Sequence, residues 1–403
     1  MNGRVIAIND ISANDELLWR DLAKNAEEPN PLFEADCMIP AARFLPYGDQ
    51  MLLVIAEEEG RFFGCFPIIR KAGVETLIAN LPGLRRPVIT THVRRNRYDG
   101  TPLMRKERGV EAAVALLSVL KEQAQGSDAG ILVFEAMRDE GPVSRHFRIS
   151  AKILKLPIRT YRTYQRPVVY RRDDSTYQNI HGRETHRTNE KKRRRLGKML
   201  GGEVQGADRS LEPSAVDELL VLEAAGYKLK RDLAVESHPG EFEWFRDMCD
   251  RFREANRLHL YSLQVGETVA AMQLLVRGGE GLFSLVASYD EDQAKYSPGI
   301  QLYLEVINRF HDSTDAQWLD SCTYAGNGTF LWAYPDLRTV STFLIPLRGS
   351  VDRFYVRIYM LFIFMWNMLG PDSTFRSKHR RLIAPLIWIF SRWQRSPSEI
   401  VRQ

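Results

Sequence analysis

Residues 282–310 read LFSLVASYDEDQAKYSPGIQLYLEVINRF and predict a buried strand, a short polar loop and a helix. Ser297 is a favoured N-cap residue, and Pro298 suits the first helical position, where no N–H is needed. Gly299 leaves the following backbone amide uncovered. Apolar residues then recur at helical spacing, at Ile300, Tyr303, Leu304, Ile307 and Phe310. Unpaired N–H groups and the positive end of a helix predict a phosphate site, and an ordinary capped helix is the plainer interpretation.

Several other segments, in their order along the chain, resemble one enzyme family. They are residues 29–33 (PNPLF), 100–103 (GTPL), the basic segment 177–200, 222–228 (LEAAGYK), 288–290 (SYD) and 296–299 (YSPG). The chain resembles the acyl-CoA-dependent acetyltransferases of the GNAT superfamily, in particular the two-lobed bacterial group of the cellulose-biosynthesis type, which is related to Fem-type peptidoglycan aminoacyltransferases. Members often carry Gly-Trp-Lys-Gly-Arg where this chain has residues 226–230, Gly-Tyr-Lys-Leu-Lys.

The resemblance implies a mixed α/β (α+β) fold of two tandem GNAT-like lobes, each a mixed central sheet flanked by helices. Residues 1–165 are then the N-terminal lobe, residues 166–350 the C-terminal lobe with the acyl-CoA site, and residues 351–403 an apolar and basic helical tail. No sequence repeat relates the lobes, so this division depends on the resemblance. A length of 403 residues suits two domains with an appendage.

Composition indicates a globular protein, with 44% hydrophobic and 27% charged residues. Cys37, Cys65, Cys249 and Cys322 lie far apart without metal-ligand spacing, and we expect reduced, buried thiols. The N-terminus has no apolar run of signal-peptide length, which predicts a cytoplasmic protein. Peripheral contact with the inner face of the membrane is compatible with this prediction. No dinucleotide-binding or P-loop motif occurs, and no metal site is predicted.

Positive charge is concentrated in one segment. Residues 183–198 hold eight basic residues and two acids, 8 − 2 = +6, whereas the whole chain carries +5. On a helix, one face would hold Arg187, Lys191, Arg194 or Arg195, and Lys198. Four interpretations stay open: a solvated face, a lid over a phosphorylated cofactor, a membrane contact, or an RNA-binding face.

The C-terminal tail contains two apolar segments, residues 354–369 and 382–393. Both are shorter than the ~20 apolar residues that span a bilayer. Core or interlobe helices are the first interpretation. A monotopic membrane contact is the second, supported by the nearby residues Arg376, Lys378, Arg380 and Arg381.

The resemblance also implies a site for acetyl-CoA or another acyl-CoA as co-substrate, without a metal. The predicted acyl-CoA-binding residues are Ser284, Leu285, Val286, Tyr296, Ser297, Pro298, Gly299, Ile300 and Gln301. The predicted catalytic residues are Glu223 as the base that deprotonates the amine, Asp290 as an alternative base, and Tyr324 as the proton donor to the thiolate. The predicted acceptor-side residues are Tyr227, Lys228, Tyr289 and Asp320, and Asp320 is also an alternative base. Carboxylates at the ends of elements often serve only as caps.

The leading function is therefore an acyl-CoA-dependent N-acyltransferase, with acetyl as the expected acyl group and an amine of a small molecule or sugar as acceptor. One alternative is an aminoacyl-tRNA-dependent, Fem-like transferase. Nucleic acid is disfavoured as a partner because no coiled-coil arm or aromatic stacking platform is recognisable. A third alternative is a catalytically weak peripheral membrane or assembly protein that uses its tail.

Overall fold

The computed structural model describes residues 1–71, 87–91, 99–173, 181–226, 234–235, 238–323 and 328–369. Within them, the strands are β1 Asn2–Ala7, β2 Leu52–Glu58, β3 Arg61–Lys71, β4 Val88–Thr90, β5 Leu103–Met104, β6 Ile131–Arg138, β7 Arg159–Tyr170, β8 Gln205–Asp208, β9 Leu258–Val265, β10 Thr268–Gly278, β11 Gly281–Tyr289, β12 Trp318–Asp320 and β13 Asp336–Pro346. The α-helices are α1 Ala13–Lys24, α2 Ala35–Phe44, α3 Gly109–Gln125, α4 Pro142–Ile153, α5 Gly182–Leu200, α6 Ser214–Ala225, α7 Glu241–Glu254, α8 Pro298–Ser313, α9 Gly328–Ala333 and α10 Ser350–Leu369.

One mixed sheet runs through both halves of the molecule. Its order is β1-β2-β3-β4-β6-β13-β7-β12-β11-β10-β9-β8, with β5 beside β3. The pairs β4–β6 and β11–β12 are parallel, and the other recorded pairs are antiparallel. The order of parallel and antiparallel pairs is therefore the same whether the sheet is followed from β1 or from β8. The predicted mixed α/β fold, with a mixed central sheet flanked by helices, is confirmed.

The two central strands are exchanged between the halves. Strand β13, from the C-terminal half, lies between β6 and β7 of the first half, and β7 in turn lies between β13 and β12. Each half thus completes its sheet with a strand from the other. The predicted lobe boundary after residue 165 falls inside β7, and the division into residues 1–165, 166–350 and 351–403 stays a prediction.

The packing of α8 differs in detail from the sequence pattern. Tyr303, Ile307 and Phe310 are buried as expected, but Ile300 and Leu304 are half-exposed. Leu302 and Val306 are buried instead. The buried face is therefore rotated, because residues 302, 306 and 310 form one row at the i, i+4 spacing against the sheet.

Apolar residues from both halves share one large core. At the junction, α2 packs against α7, and the indole N–H of Trp244 donates to the carbonyl of Cys37 over 3.1 Å. A second core lies beneath α8 and contains Leu196 of α5. The relative placement of the halves is thus held by a buried contact.

All four cysteines are free and buried, as predicted. Burial raises the pKa of the Cys65 and Cys249 thiols, which keeps them protonated.

Helix α10 is only partly a core helix. Val356 and Tyr359 pack with Leu344 of β13, whereas Phe354, Leu361 and Phe364 are exposed. The second predicted tail segment, residues 382–393, and the tail arginines and lysine at 376–381 lie outside the described residues. In the part of the chain that is described, no helix combines the length and apolarity needed to cross a membrane.

Candidate active site

Strands β11 and β12 separate in the C-terminal half. Their parallel pairing covers Gly281–Trp318 to Phe283–Asp320. Beyond Phe283, β11 continues to Tyr289 alongside β10, and no pairing of residues 284–289 with β12 occurs within the described chain. Among the described residues, no strand therefore pairs with the bulged residues 284–286 on the edge of β11 that faces away from β10.

A β-bulge lies where the strands separate. Leu274 pairs with Val286 and Leu275 with Ser284, so Leu285 is the extra residue. A bulge bends its strand and redirects the local backbone groups. The predicted acyl-binding residues Ser284, Leu285 and Val286 therefore lie at the point of separation, and their side chains are buried.

Helix α8 begins directly after this strand and a short 3-10 helix, Glu291–Tyr296. Its first internal hydrogen bond runs from the Gln301 N–H to the Ser297 carbonyl, 3.2 Å. Pro298 has no N–H, so the amides of Gly299 and Ile300 are the donors of the first turn that precede this bond. Two amides, those of Gly299 and Ile300, are thus available here for an anion.

Ser297 does not cap the helix with its side chain, contrary to prediction. Its φ of 56° is left-handed, and its N–H donates to the Ala294 carbonyl, 2.9 Å, because the residue also ends the 3-10 helix. The Ser297 hydroxyl instead accepts a hydrogen bond of 2.9 Å from the Lys192 ammonium. A left-handed non-glycine residue costs about 1–3 kcal/mol, and such residues are concentrated at functional sites.

Lys192 belongs to the basic helix α5, which has two distinct faces. Arg187, Lys191, Arg194, Arg195 and Lys198 are exposed, in agreement with a solvated face. Lys192 and Arg193 point toward α8, and Arg193 lies 3.5 Å from Glu305. The sequence held a signal for this arrangement, because Lys192 and Arg193 precede the apolar Leu196 by four and three residues.

A buried polar group lies beneath the open strand edge. The amide nitrogen of Gln273 donates to the hydroxyls of Ser284, 2.8 Å, and Tyr334, 3.3 Å. The Gln273 carbonyl oxygen is buried without a hydrogen-bond partner in the described residues. Sequence patterns gave no indication of Gln273 or Tyr334, since their proximity depends on long-range packing.

Glu223 lies near the end of β11 but has a structural contact. It is 3% exposed, and its carboxylate accepts a hydrogen bond of 2.9 Å from the Val235 N–H. The neighbouring Leu222 carbonyl accepts from the Ser288 hydroxyl, 3.3 Å. The C-terminal end of α6 is therefore fixed against the end of β11, and the role of Glu223 as base stays a prediction.

The other two candidate carboxylates have structural partners. Asp290 accepts from the Asp292 N–H, 3.0 Å, and the Gln293 side chain, 2.6 Å, and so caps the 3-10 helix. Asp320 is fully buried, accepts from the Cys322 N–H, 2.8 Å, and pairs with Arg338, 3.1 Å. A substrate cannot contact Asp320 in this conformation, so its predicted role as an acceptor-side residue or base disagrees with its burial.

The remaining predicted residues divide into two groups. Tyr289, the last residue of β11, and Tyr296, the last residue of the 3-10 helix, are half-buried. A side chain added at Gly299 would contact the Tyr289 ring at 3.2 Å. The Tyr296 carbonyl accepts from the Gln301 side chain, 2.8 Å. Tyr227, Lys228 and Tyr324 lie outside the described residues.

In the first half, residues 99–101 of the protein occupy the position that corresponds to the candidate site. Beyond the parallel pair of β4 and β6, the edge of β6 is covered by residues 99–101, where the Gly100 N–H donates to the Ala136 carbonyl, 3.5 Å. Asn30 holds this segment by donating to the carbonyls of Asp99 and Thr101, 2.9 and 2.8 Å. Any side chain at Gly100 would overlap the Glu135 carbonyl.

The start of α3, the counterpart of α8, is also covered. Arg108 precedes α3 with a φ of 59°, just as Ser297 precedes α8. However, Gly109 is buried against the His146 ring, which lies 2.9 Å from Glu27. Among the described residues, the second half has no counterpart of this cover: no strand pairs with β11 at the bulge on the side away from β10, and Gly299 is half-exposed.

Comparison with known proteins identifies the part of the chain that carries this site. Residues 183–327 match the family described as acetyltransferase (GNAT) domain. This part of the chain is a GNAT acetyltransferase domain. The matched residues include α5, the separated strands and the start of α8, and acyl transfer is accordingly the reaction class of the protein. No curated protein sequence matches the chain.

Solved structures resemble the whole chain at low sequence identity. The crystal structure of FemX has 10% identity and a TM-score of 0.52, and the alignment covers 89% of this chain and 100% of that one. L-PGS from Bacillus licheniformis has 9% identity and a TM-score of 0.48, over 87% and 97% of the two chains. A tandem GNAT protein from the clavulanic acid biosynthesis pathway has 12% identity and a TM-score of 0.40, over 87% and 99%. The likeness to FemX, over nearly the whole of both chains, supports a shared overall fold.

Proposed function

We propose that the GNAT domain transfers an acyl group from an acyl-CoA to an amine of a small molecule or sugar. Acetyl is the first acyl group to test. The observation that carries the proposal is the combination at one end of β11: the separation from β12 with a bulge at Leu285, followed by the start of α8. The pantetheine amides of CoA would bind the β11 backbone at the bulge, residues 284–286. Its pyrophosphate would then reach the amides of Gly299 and Ile300, near Lys192.

The reaction needs positioning more than covalent help. A neutral amine attacks the thioester carbonyl, the C–S bond breaks, and the thiolate takes up a proton. Backbone N–H groups at the bulge would polarise the carbonyl. Glu223 is proposed as the acceptor of the proton that the amine loses, and Tyr324 as the donor to the thiolate.

Acetyl-CoA binding tests this proposal. We expect acetyl-CoA to raise the melting temperature of the parent protein, and Gly299→Glu to abolish the rise through like charge and contact with Tyr289. Gly126→Glu is the matched control, because nothing lies within 4 Å of a side chain added at that glycine. Unchanged acetyl-CoA binding by folded Gly299→Glu would overturn the placement of the site.

An aminoacyl-tRNA-dependent reaction is the second candidate, favoured by the exposed cations of α5. Backbone phosphates of RNA would bind such a face with strong salt dependence. Replacing Arg187, Lys191 and Arg194 by glutamine would then weaken tRNA retention on filters at low salt, with less effect at high salt. If the parent retains tRNA but is not stabilised by any acyl-CoA, this candidate replaces the first.

A further inference from the structure

Gln273 is a fully buried polar residue in a central strand of the second half. It lies on β10, where it pairs with Ala287 of β11 on one side and with Tyr261 of β9 on the other. Its neighbours along the strand, Met272 and Leu274, are buried and apolar. Glutamine is mostly an exposed residue in folded proteins, so a glutamine at 0% exposure in the middle of a sheet needs a specific reason.

The Gln273 carboxamide contacts the point where β11 and β12 separate. Its nitrogen donates to the hydroxyl of Ser284 over 2.8 Å and to that of Tyr334 over 3.3 Å. Ser284 is the first residue of β11 after the last pair with β12, Phe283–Asp320. Tyr334 follows α9 and is near enough to Asp320 to interact with its charge. One side chain thus connects the first residue of the bulge with the segment behind the end of β12.

These contacts leave hydrogen-bonding capacity unused at the separation point. The Gln273 carbonyl oxygen has no partner among the described residues, which lowers the stability of the fold rather than raising it. The Ser284 oxygen accepts from Gln273, and no recorded hydrogen bond of the described residues uses the Ser284 proton. Burial raises the pKa of the Tyr334 hydroxyl, so Tyr334 stays neutral. The Ser284 hydroxyl therefore has a fixed oxygen and a proton that it can still donate.

We infer that Gln273 is a positioning residue for acyl-CoA, which orients the Ser284 hydroxyl to donate a hydrogen bond to an amide carbonyl of the pantetheine arm. The inference rests on the proposed function, because it takes acyl-CoA as the ligand at the bulge. A hydroxyl that is already held by the protein loses little rotational freedom when it binds, which favours affinity. Gln273 is fully buried, whereas Ser284 is 4% exposed, so the effect of Gln273 on the ligand passes through Ser284.

A double-mutant cycle on the full chain tests the inference. Gln273→Met, which is close in volume, and Ser284→Ala should each raise the dissociation constant of acetyl-CoA about three- to tenfold, as for the loss of one neutral hydrogen bond. The double variant should bind no more weakly than Ser284→Ala alone, because both changes remove the same contact. The matched control is a second serine–glutamine pair, on β9, where the Ser262 hydroxyl donates to the Gln264 side chain over 2.9 Å. Gln264→Met and Ser262→Ala should bind acetyl-CoA like the parent.

A second ligand separates positioning from general structural damage. Adenosine 3′-phosphate 5′-diphosphate carries the phosphates of CoA without the pantetheine arm, so Gln273→Met and Ser284→Ala should bind it like the parent. Urea unfolding verifies that each variant is folded, and Gln273→Asn, polar but one methylene shorter, replaces Gln273→Met if the latter does not fold.

Three results would overturn the inference and leave the proposed function standing. They are parental affinity for acetyl-CoA in a folded Gln273 variant, additive losses in the double variant, and an equal loss of affinity for the nucleotide fragment. A parent protein that binds no acyl-CoA would instead overturn the proposed function, and the inference with it.

Discussion

The ammonium group of Lys192 on the basic helix α5 donates a hydrogen bond of 2.9 Å to the hydroxyl of Ser297, the residue that immediately precedes helix α8. This contact places a positive charge beside the start of α8. The other cations of α5 that are exposed project away from it. Lys192 therefore differs from the exposed cations of α5 because it contacts the residue before α8. The proposed phosphate site combines its positive charge with the two amides of Gly299 and Ile300.

Lys192→Gln should weaken acetyl-CoA binding about ten- to a hundredfold, because a charge-assisted hydrogen bond contributes about 1.5–3 kcal/mol. Lys191→Gln, which removes an exposed charge one position earlier, should change the dissociation constant less than about twofold. Isothermal titration at two salt concentrations measures both. Equal losses for the two variants, vanishing together at high salt, would mean that α5 acts only through its overall charge.

One acyl-CoA should bind per chain, although the fold contains two related halves. The segment 99–101 fills the strand edge in the first half, and His146 covers the start of α3. Titration of acetyl-CoA should therefore give a single site, and Gly299→Glu should remove all of the binding heat. Two sites in the parent, or one site left in Gly299→Glu, would show that the first half binds as well.

Local sequence patterns predicted the mixed α/β class of this fold and the strand, loop and helix of the candidate site. The strand, loop and helix at 281–313 form as expected because spacing, proline and glycine act over a few residues. The exchange of β7 and β13 could not be predicted, since these strands pair with residues up to about 200 positions away, as Pro346 with Ile131 does. The prediction that the Ser297 side chain caps α8 was wrong for a similar reason. Its hydroxyl instead accepts a hydrogen bond from Lys192, which lies 105 positions earlier.

Asp99→Asn should destabilise the protein by roughly 3 kcal/mol at neutral pH, as expected for breaking a buried ion pair. Burial alone would raise the pKa of the Asp99 carboxyl, but Arg138, at 3.1 Å, together with Arg166 and Thr101, holds that pKa below its ordinary value. A lowered folded-state pKa gives stability that is present above the unfolded-state pKa of about 4 and is lost as pH falls through the folded-state pKa.

The difference in the free energy of unfolding between the parent and Asp99→Asn should accordingly become smaller as the pH is lowered below about 4. Urea unfolding at several pH values measures it. Asp128→Asn provides the control, because its ion pair with Arg70 is exposed and should contribute less than about 1 kcal/mol. A constant difference between parent and Asp99→Asn over the whole range would contradict the ionised, arginine-bound carboxylate.

Glu223→Gln should lower turnover at least about a hundredfold while leaving acetyl-CoA affinity nearly unchanged, if this carboxylate accepts the proton of the amine. Glutamine can still accept the hydrogen bond from the Val235 N–H with its carbonyl oxygen, so the free energy of unfolding should change little. Glu223→Ala loses that acceptor and should be less stable by about 1–3 kcal/mol. Comparing the two variants separates catalysis from structure: a stable Glu223→Gln protein with parental turnover at every pH would show that Glu223 is not the base.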